Sequence, residues 1–173
     1  KHRRAREIHE RFGRQCGIPL DYDADQVAPG GLPQAVRNLQ ARGFYGLNIT
    51  VPYKREVYAM ADRLSARARV AKAVNTVRFE SDGTILGENT DGIGLLHDLE
   101  HNLSQLLHNA SILIVGAGGA VRGVLEPLLS VEPAMLVITN RTAERAFSLV
   151  EEFSSYGSIR ALPLDGLDRQ HFD

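Results

Sequence analysis

The residue types best suited to chemistry occur in two short polar segments, each lying between an apolar stretch and a predicted helix. The first is Asn48-Ile49-Thr50-Val51-Pro52-Tyr53-Lys54, in which a proline ends an apolar strand two residues before the lysine. The second is Asn89-Thr90-Asp91-Gly92. Open α/β sheets bind ligands beyond their strand ends, and there Asp91 could supply a carboxylate partner for the Lys54 ammonium. The alternative is a surface lysine that caps a strand, the commoner role of an isolated Pro-x-Lys.

A glycine-rich turn follows the apolar run Ser111–Val115, which reads as a parallel strand buried on both faces. The turn is Gly116-Ala117-Gly118-Gly119-Ala120, and a helical pattern begins directly after it. Glycines let the backbone approach a pyrophosphate, whose charge the helix N-terminus stabilises. Val121 occupies the third glycine position of the general dinucleotide pattern, so the match is imperfect, and a plain strand-turn-helix is the alternative.

The residues after the next strand indicate which dinucleotide would bind. A fold specific for NAD usually places an acidic residue there, to accept hydrogen bonds from the ribose 2′-hydroxyl. This chain has Asn140, Arg141 and Thr142, with Arg145 one turn further on. Two guanidinium groups favour a 2′-phosphate, so the sequence predicts NADP rather than NAD. Helix capping by Asn140 or Thr142, with solvated arginines, is the alternative.

The pattern of apolar residues predicts an α/β protein that would hold these segments at the ends of two sheets. We predict an N-terminal α/β domain over residues 1–100, followed by the first half of a Rossmann domain over residues 101–173. In the first part the pattern predicts helices at 7–16 and from 32 to about 43, a helical stretch at 57–64 extending towards 71, a helix from about 92, and strands at 20–27, 45–51, 74–79 and 84–86. In the second part it predicts strands at 111–115, 134–139 and 158–162, with helices ending at 130 and spanning 142–154.

Composition restricts the classes of partner. Of the 173 residues, 43% are hydrophobic and 24% charged, and the formal net charge is −1, which argues against broad binding to nucleic acid or to an anionic membrane. No apolar segment approaches the roughly 20 residues of a membrane span. The single cysteine, Cys16, cannot form an internal disulfide and is compatible with a reducing cytoplasm.

Taken together, the motifs resemble those of the shikimate dehydrogenase family along nearly the whole chain. The resemblance rests on 48–54, Ala73-Val74-Asn75-Thr76, Gly87 to Gly92, Gly116 to Ala120 and Asn140-Arg141-Thr142, in that order. It implies NADPH-dependent reduction of 3-dehydroshikimate to shikimate in aromatic amino-acid biosynthesis. It also implies that Lys54 and Asp91 are the catalytic pair and that substrate is bound by Asn48, Thr50, Lys54, Asn75 and Asp91. The predicted cofactor residues are Gly116, Ala117, Gly118, Gly119, Ala120, Asn140, Arg141, Thr142 and Arg145.

Several positions depart from the family pattern. Arg3, Ala5 and Arg6 stand where the family has a Ser-x-Ser-Pro segment that holds the substrate carboxylate, Lys72 replaces a glycine, and Ala66 replaces the glutamate of some members. The chain also stops where the family would enter its next strand. We therefore expect a fragment or a truncated gene model, poorly active by itself.

Other readings stay open at this stage. One is a quinate/shikimate dehydrogenase that uses NAD, against which Arg141 and Arg145 argue, and another is a non-catalytic relative that binds shikimate or a nucleotide. A homodimer is left open as well. His97 and His101 are four residues apart and could ligate a metal, but the neighbouring acids do not complete a set, so we predict a solvated face and no metal site.

Overall fold

The computed structural model describes residues 3–167 and 171–173. The chain divides into two compact units, residues 1–37 and 38–173. Within the described residues, none of the helices combines the length and the apolar character that crossing a membrane would require.

The first unit consists of α1 (Arg3–Cys16), an irregular segment, and most of α2 (Leu32–Ala41), which continues across the boundary. The predicted first helix is confirmed, but the predicted strand at 20–27 is wrong, because residues 18–28 have no regular structure. A strand needs a neighbour for its ladder of hydrogen bonds, and the described part of this unit contains none. The segment instead packs on α1, where the ring of Tyr22 stacks 4.2 Å from that of His9.

The second unit begins with a four-stranded sheet in the order β1-β3-β4-β2. Its strands are β1 (Gly46–Asn48), β2 (Arg63–Leu64), β3 (Thr76–Phe79) and β4 (Ile85–Glu88). Only the β2–β4 pair is parallel. The strand predicted at 45–51 is shorter than expected, because the chain turns after Ile49 and the Tyr53 N–H donates to the Thr50 carbonyl at 3.0 Å.

The helical stretch predicted at 57–64 and towards 71 is wrong in its middle. The structure has α3 (Lys54–Met60) and α4 (Ala66–Ala71), separated by β2. Leu64 pairs with Gly87 of β4, and a ladder of this kind overrides a local helical pattern. Ser65 then starts α4, because its Oγ accepts a hydrogen bond from the Ala68 N–H at 3.0 Å. The next helix, α5 (Asp91–His97), continues as a π-helical turn, Asp98–Asn102.

The second sheet is parallel, with the order β5 (Ser111–Val115), β6 (Met135–Thr139) and β7 (Ile159–Ala161). It alternates with α6 (Gly119–Ser130) and α7 (Ala143–Phe153), as predicted to within a residue or so at each end. The core joins Leu125 and Leu129 of α6 to Ile138 and Phe153. The predicted burial of β5 on both faces is wrong, because Val115 is 71% exposed. The buried strand is β6, which lies in the middle of the sheet between β5 and β7. The α/β class with a parallel sheet is confirmed.

Candidate active site

Lys54 and Asp91 form an ion pair, although 37 positions separate them in the chain. Lys54 is the first residue of α3, where the turn after β1 leaves it, and Asp91 is the first residue of α5. The Lys54 Nζ donates to Asp91 Oδ2 at 2.6 Å, and the two side chains are only 12% and 22% exposed. The meeting expected from the sequence is therefore present, in surroundings that screen the charges less than open solvent does.

Asn75 holds the other oxygen of the Asp91 carboxylate. Its Nδ2 donates to Asp91 Oδ1 at 2.9 Å and to Thr90 Oγ1 at 3.0 Å. Its Oδ1 accepts from the Thr90 N–H and from Thr76 Oγ1, both at 3.0 Å. The amide therefore fixes the carboxylate, and a ligand hydroxyl could bind Asn75 only by replacing one of these contacts.

Asn89 anchors the backbone of Asp91. It is buried, its Oδ1 accepts from the Asp91 N–H at 3.1 Å, and its Nδ2 donates to the Ala73 carbonyl at 3.0 Å. The segment 73–75 is also tied to the lysine, because the Val74 N–H donates to the Lys54 carbonyl at 2.8 Å. Backbone and side-chain hydrogen bonds thus hold both members of the ion pair.

The two other predicted substrate contacts, Asn48 and Thr50, lie at the end of β1. Asn48 pairs in register with Thr76, and the Ile49 N–H donates to the Asn75 carbonyl at 2.7 Å. Both Asn48 and Thr50 are exposed. The sheet therefore brings them beside Asn75, with their side chains accessible to a ligand.

The glycine turn lies against Lys54. Gly116 has φ 129°, a conformation that favours glycine, and its N–H donates to the Thr139 carbonyl at 2.7 Å. Gly118 is the N-cap of α6, and a Cβ added there would point into open space. A Cβ added to Gly119 would lie 3.7 Å from the Cβ of Lys54. The predicted cofactor turn and the predicted catalytic lysine are thus neighbours.

Gly123 of α6 is a site residue that the sequence reasoning missed. A Cβ built there would come within 2.8 Å of Asn89 Oδ1 and 3.1 Å of Asp91 Oδ2. Gly92 of α5 packs against α6 just as closely, since a Cβ added to Gly92 would lie 2.4 Å from the Gly123 carbonyl oxygen. The sequence did contain a signal for this close approach, because Gly92 and Gly123 both lie within helices. A glycine in a helix lowers its stability, so its presence there indicates close packing.

The predicted 2′-phosphate residues follow β6, next to the glycine turn, since Val115 pairs in parallel with Thr139. Arg141 and Arg145 are exposed. Thr142 occupies the N-cap of α7, but within the described structure its side chain makes no capping hydrogen bond. Asn140 Nδ2 donates to the Thr142 carbonyl at 2.8 Å and so orders this corner.

Glu88, at the end of β4, is a strongly hydrogen-bonded carboxylate beside the site. Burial raises the pKa of Glu88, but Ser65 Oγ at 2.6 Å, the Asn89 N–H at 2.8 Å and the Arg67 guanidinium outweigh burial and hold that pKa below its usual value. His97 and His101 stack with ring centroids 4.2 Å apart, and among the described residues no group of histidine, cysteine and acidic side chains is arranged for a metal.

A glycine turn that leaves one parallel strand, opens a helix and lies beside the end of the next strand defines the Rossmann type of α/β protein. Two family models match the chain: the shikimate dehydrogenase substrate binding domain over residues 1–77, and shikimate / quinate 5-dehydrogenase over residues 98–170. The chain therefore belongs to the shikimate dehydrogenase family.

Individual relatives agree with this. A protein of Thioalkalivibrio sulfidiphilus named shikimate dehydrogenase (NADP(+)) is 46% identical over 166 residues, covering 96% of this chain and 61% of its own length. The crystal structure of an Ael1 enzyme from Pseudomonas putida matches with a TM-score of 0.89 at 40% identity, over 99% of this chain and 63% of that one. Shikimate 5-dehydrogenase from Thermus thermophilus, in complex with NADP(H) and shikimate, matches with a TM-score of 0.83 at 32% identity, over 95% and 59%. The chain thus spans about 60% of the length of these relatives.

Proposed function

We propose that this protein is an NADP-dependent shikimate dehydrogenase, an oxidoreductase that interconverts 3-dehydroshikimate and shikimate in aromatic amino-acid biosynthesis. The observation that carries the proposal is the contact of 2.6 Å between Lys54 Nζ and Asp91 Oδ2, beside the glycine turn at Gly119. Relatives named as NADP-dependent shikimate dehydrogenases, and a neighbour that holds NADP(H) and shikimate, support it.

Reduction of a ketone requires a hydride at carbon and a proton at oxygen. The nicotinamide cofactor supplies the hydride when it is bound. The Lys54 ammonium would donate a hydrogen bond to the carbonyl oxygen, stabilise the negative charge that develops there and deliver the proton. Asp91 would fix the direction of the ammonium through the hydrogen bond that its Oδ2 accepts from Lys54 Nζ. Oxidation of the alcohol would return the proton along the same path.

The substrate carries hydroxyl groups, which call for neutral hydrogen-bonding partners. We propose that Asn48 and Thr50, both exposed, bind these hydroxyls together with Asn75, Lys54 and Asp91. The Asn75 amide would exchange one of its present contacts for the ligand, since its donors and acceptor are engaged. The site as a whole would thus serve a small polyol.

The residues of the second sheet fit a dinucleotide. Open space above Gly118, at the N-terminus of α6, would accept the pyrophosphate, with Gly116, Ala117, Gly119 and Ala120 completing the turn. Asn140, Arg141, Thr142 and Arg145 would surround the adenosine 2′-phosphate, and the two exposed guanidinium groups favour NADP over NAD. The second reading, a quinate/shikimate dehydrogenase that uses NAD, is therefore less well supported.

The N-terminal segment favours a different candidate, a non-catalytic protein that binds shikimate. Ala5 and Arg6, at positions where the family has serine and proline, lie inside α1, and Arg6 pairs with Glu10 at 2.8 Å. This unit therefore lacks, at these two positions, the hydroxyl groups that would hold a substrate carboxylate.

The domain boundary, the location and the assembly belong to the same proposal. We assign substrate binding to residues 1–100 and dinucleotide binding to residues 101–173, divisions that the ranges of the two family models support. A cytoplasmic location is consistent with the free, exposed thiol of Cys16. The homodimer belongs to this proposal, and light scattering would test it by measuring the mass in solution.

Substitution of the ion pair tests the proposal. In the protein expressed from its complete reading frame, we expect Lys54→Met and Asp91→Asn each to lower kcat for NADP-dependent oxidation of shikimate by about 100- to 10,000-fold, because proton transfer and charge stabilisation are lost. The measurement is NADPH absorbance in steady state, and Asp165→Asn, which changes an exposed carboxylate outside the site, is the control. Calorimetric binding of shikimate without hydride transfer in the unsubstituted protein would instead identify the binding protein.

A further inference from the structure

A second cluster of charges lies outside the candidate active site and joins three helices of the second unit. Glu152 of α7 accepts hydrogen bonds through Oε1 from the Arg122 guanidinium of α6 and, at 2.9 Å, from Lys72 Nζ at the end of α4. Arg122 also donates through Nε to the Ala71 carbonyl at 2.9 Å. One arginine therefore ties the last carbonyl of α4 to α7.

The Arg122–Glu152 pair is too well buried to be an ordinary surface pair. The side chains of Arg122 and Glu152 are 13% and 28% exposed, and the guanidinium lies 5.7 Å above the Phe153 ring. Burial raises the pKa of Glu152, but hydrogen bonds and charges from Arg122 and Lys72 outweigh burial and hold that pKa below its usual value. Removal of Glu152 would leave the mostly buried guanidinium of Arg122 without its anionic partner, which is strongly unfavourable.

The anchored carbonyl belongs to the segment that holds the active-site ion pair. Lys72, with φ 47°, turns the chain at the end of α4, and the next three residues make the supporting contacts. The Ala73 carbonyl accepts from Asn89, the Val74 N–H donates to the Lys54 carbonyl, and the Asn75 amide holds Asp91. A shift at Ala71 would therefore reach both members of the pair through a few fixed bonds.

We propose that Arg122, Glu152 and Lys72 form a positioning network for Lys54 and Asp91. None of the three would touch the substrate; they act by fixing segment 71–75 between α4 and α6. The effect of this network on turnover rests on the proposed function, whereas its effect on the order of segment 71–75 does not. Small displacements of catalytic groups lower rates steeply, so the effect on turnover should exceed the effect on cofactor binding.

The three residues should differ in importance. Lys72 is 55% exposed, and an exposed ion pair contributes little. Lys72→Gly would keep the left-handed turn, because glycine adopts positive φ readily, and would remove only this contact. Arg122→Met would keep most of the stem that packs near Phe153 but lose the bonds to both Ala71 and Glu152. Glu152→Gln would keep an acceptor for Arg122 but lose the negative charge. Its effects on hydrogen exchange and turnover should lie between those of Lys72→Gly and Arg122→Met.

Hydrogen exchange and kinetics together test the network in the protein expressed from its complete reading frame. We expect Arg122→Met to raise exchange at the Val74 and Asn75 amides about tenfold relative to the Leu136 amide of β6. We expect kcat to fall about ten- to 100-fold while KM for NADP changes little, and Lys72→Gly to change either quantity less than threefold. Arg42→Met, which removes a guanidinium 5.1 Å above the Phe44 ring, is the matched control.

Two outcomes would overturn the proposal. One is exchange that rises equally at Val74, Asn75 and Leu136, since this would show a general loss of stability. The other is exchange at Val74 and Asn75 that stays at the unsubstituted level in both Arg122→Met and Glu152→Gln. Exchange requires no turnover, so an inactive unsubstituted protein would contradict the proposed function while leaving this test of the network decisive.

Discussion

At the scale of the residue, the proposed reaction requires only two charged side chains of this chain at the substrate, Lys54 and Asp91. Lys54 would provide both the charge and the proton, and the hydrogen bond to Asp91 would fix the position of that ammonium. The remaining polar side chains of the site are neutral, which suits hydroxyl recognition, and Asn75 links the two tasks because it already bonds to Asp91. The residues proposed to select the cofactor, Arg141 and Arg145, are separate from these and follow β6.

Replacement of the two exposed arginines should change the preference between cofactors. We expect Arg141→Gln combined with Arg145→Gln to raise KM for NADP about ten- to 100-fold, because charge-assisted bonds to the 2′-phosphate would be lost. KM for NAD should change little, and Arg42→Gln should leave both constants unaltered. The measurement is steady-state kinetics with each cofactor and shikimate. Equal changes for NAD and NADP would show that the arginines do not read the 2′ position.

At the scale of the element, α6 connects the glycine turn to the ion pair. Its N-terminus carries Gly118 and Gly119 near Lys54, and one turn later Gly123 lets the helix approach Asn89 and Asp91. The same helix supplies Arg122 to the neighbouring charge cluster. The glycine turn and the surface that packs closely against the Asp91 carboxylate therefore belong to one helix.

A methyl group at Gly123 should disturb the site more than one at another helical glycine. We expect Gly123→Ala to lower the free energy of unfolding by about 1–3 kcal/mol, because Asn89 and Asp91 are held by other bonds and cannot withdraw. Turnover should fall as well. Gly94→Ala, in α5, is the control: its Cβ would meet open space, so stability should rise by up to about 1 kcal/mol with activity retained. Denaturant unfolding and steady-state kinetics measure both, and equal behaviour of the two variants would contradict the close packing.

At the scale of the whole molecule, hydrogen-bonded carboxylates link stability to pH. The pKa values of Glu88 and Glu152 lie below the usual range in the folded chain, so both carboxylates bind protons more weakly there than when unfolded. Their stabilising effect is complete above the unfolded value of about 4.3 and is lost as the pH falls through the lower folded values. Acid should therefore weaken the fold at the two places that support the site.

The Glu88→Gln variant should reveal this linkage. At pH 7 we expect the free energy of unfolding to be about 1–3 kcal/mol lower, because charge-assisted bonds from Ser65, Arg67 and the Asn89 N–H are weakened. The difference from the unsubstituted protein should shrink as the pH falls from 7 to below about 4.3, because the native carboxylate becomes protonated only as the pH falls through its lowered pKa. Urea unfolding across that range measures it, with Glu151→Gln, an exposed residue of α7, as the control. A difference that is independent of pH would contradict the lowered pKa.

The sequence by itself determined the second sheet, because parallel βαβ units have apolar strands and helices whose lengths and turn residues are encoded locally. It also determined which side chains could meet, through the residue types at 48–54 and 89–92. It could not predict β2, whose two residues become a strand only by pairing with β4, nor the irregular segment at 18–28, which packs on α1 without a ladder. Only the tertiary structure brought Lys54 Nζ to 2.6 Å from Asp91, because that distance depends on strand register and on the approach of α6 at Gly123. Such packing distances are set by contacts between segments remote in sequence, which no local pattern records.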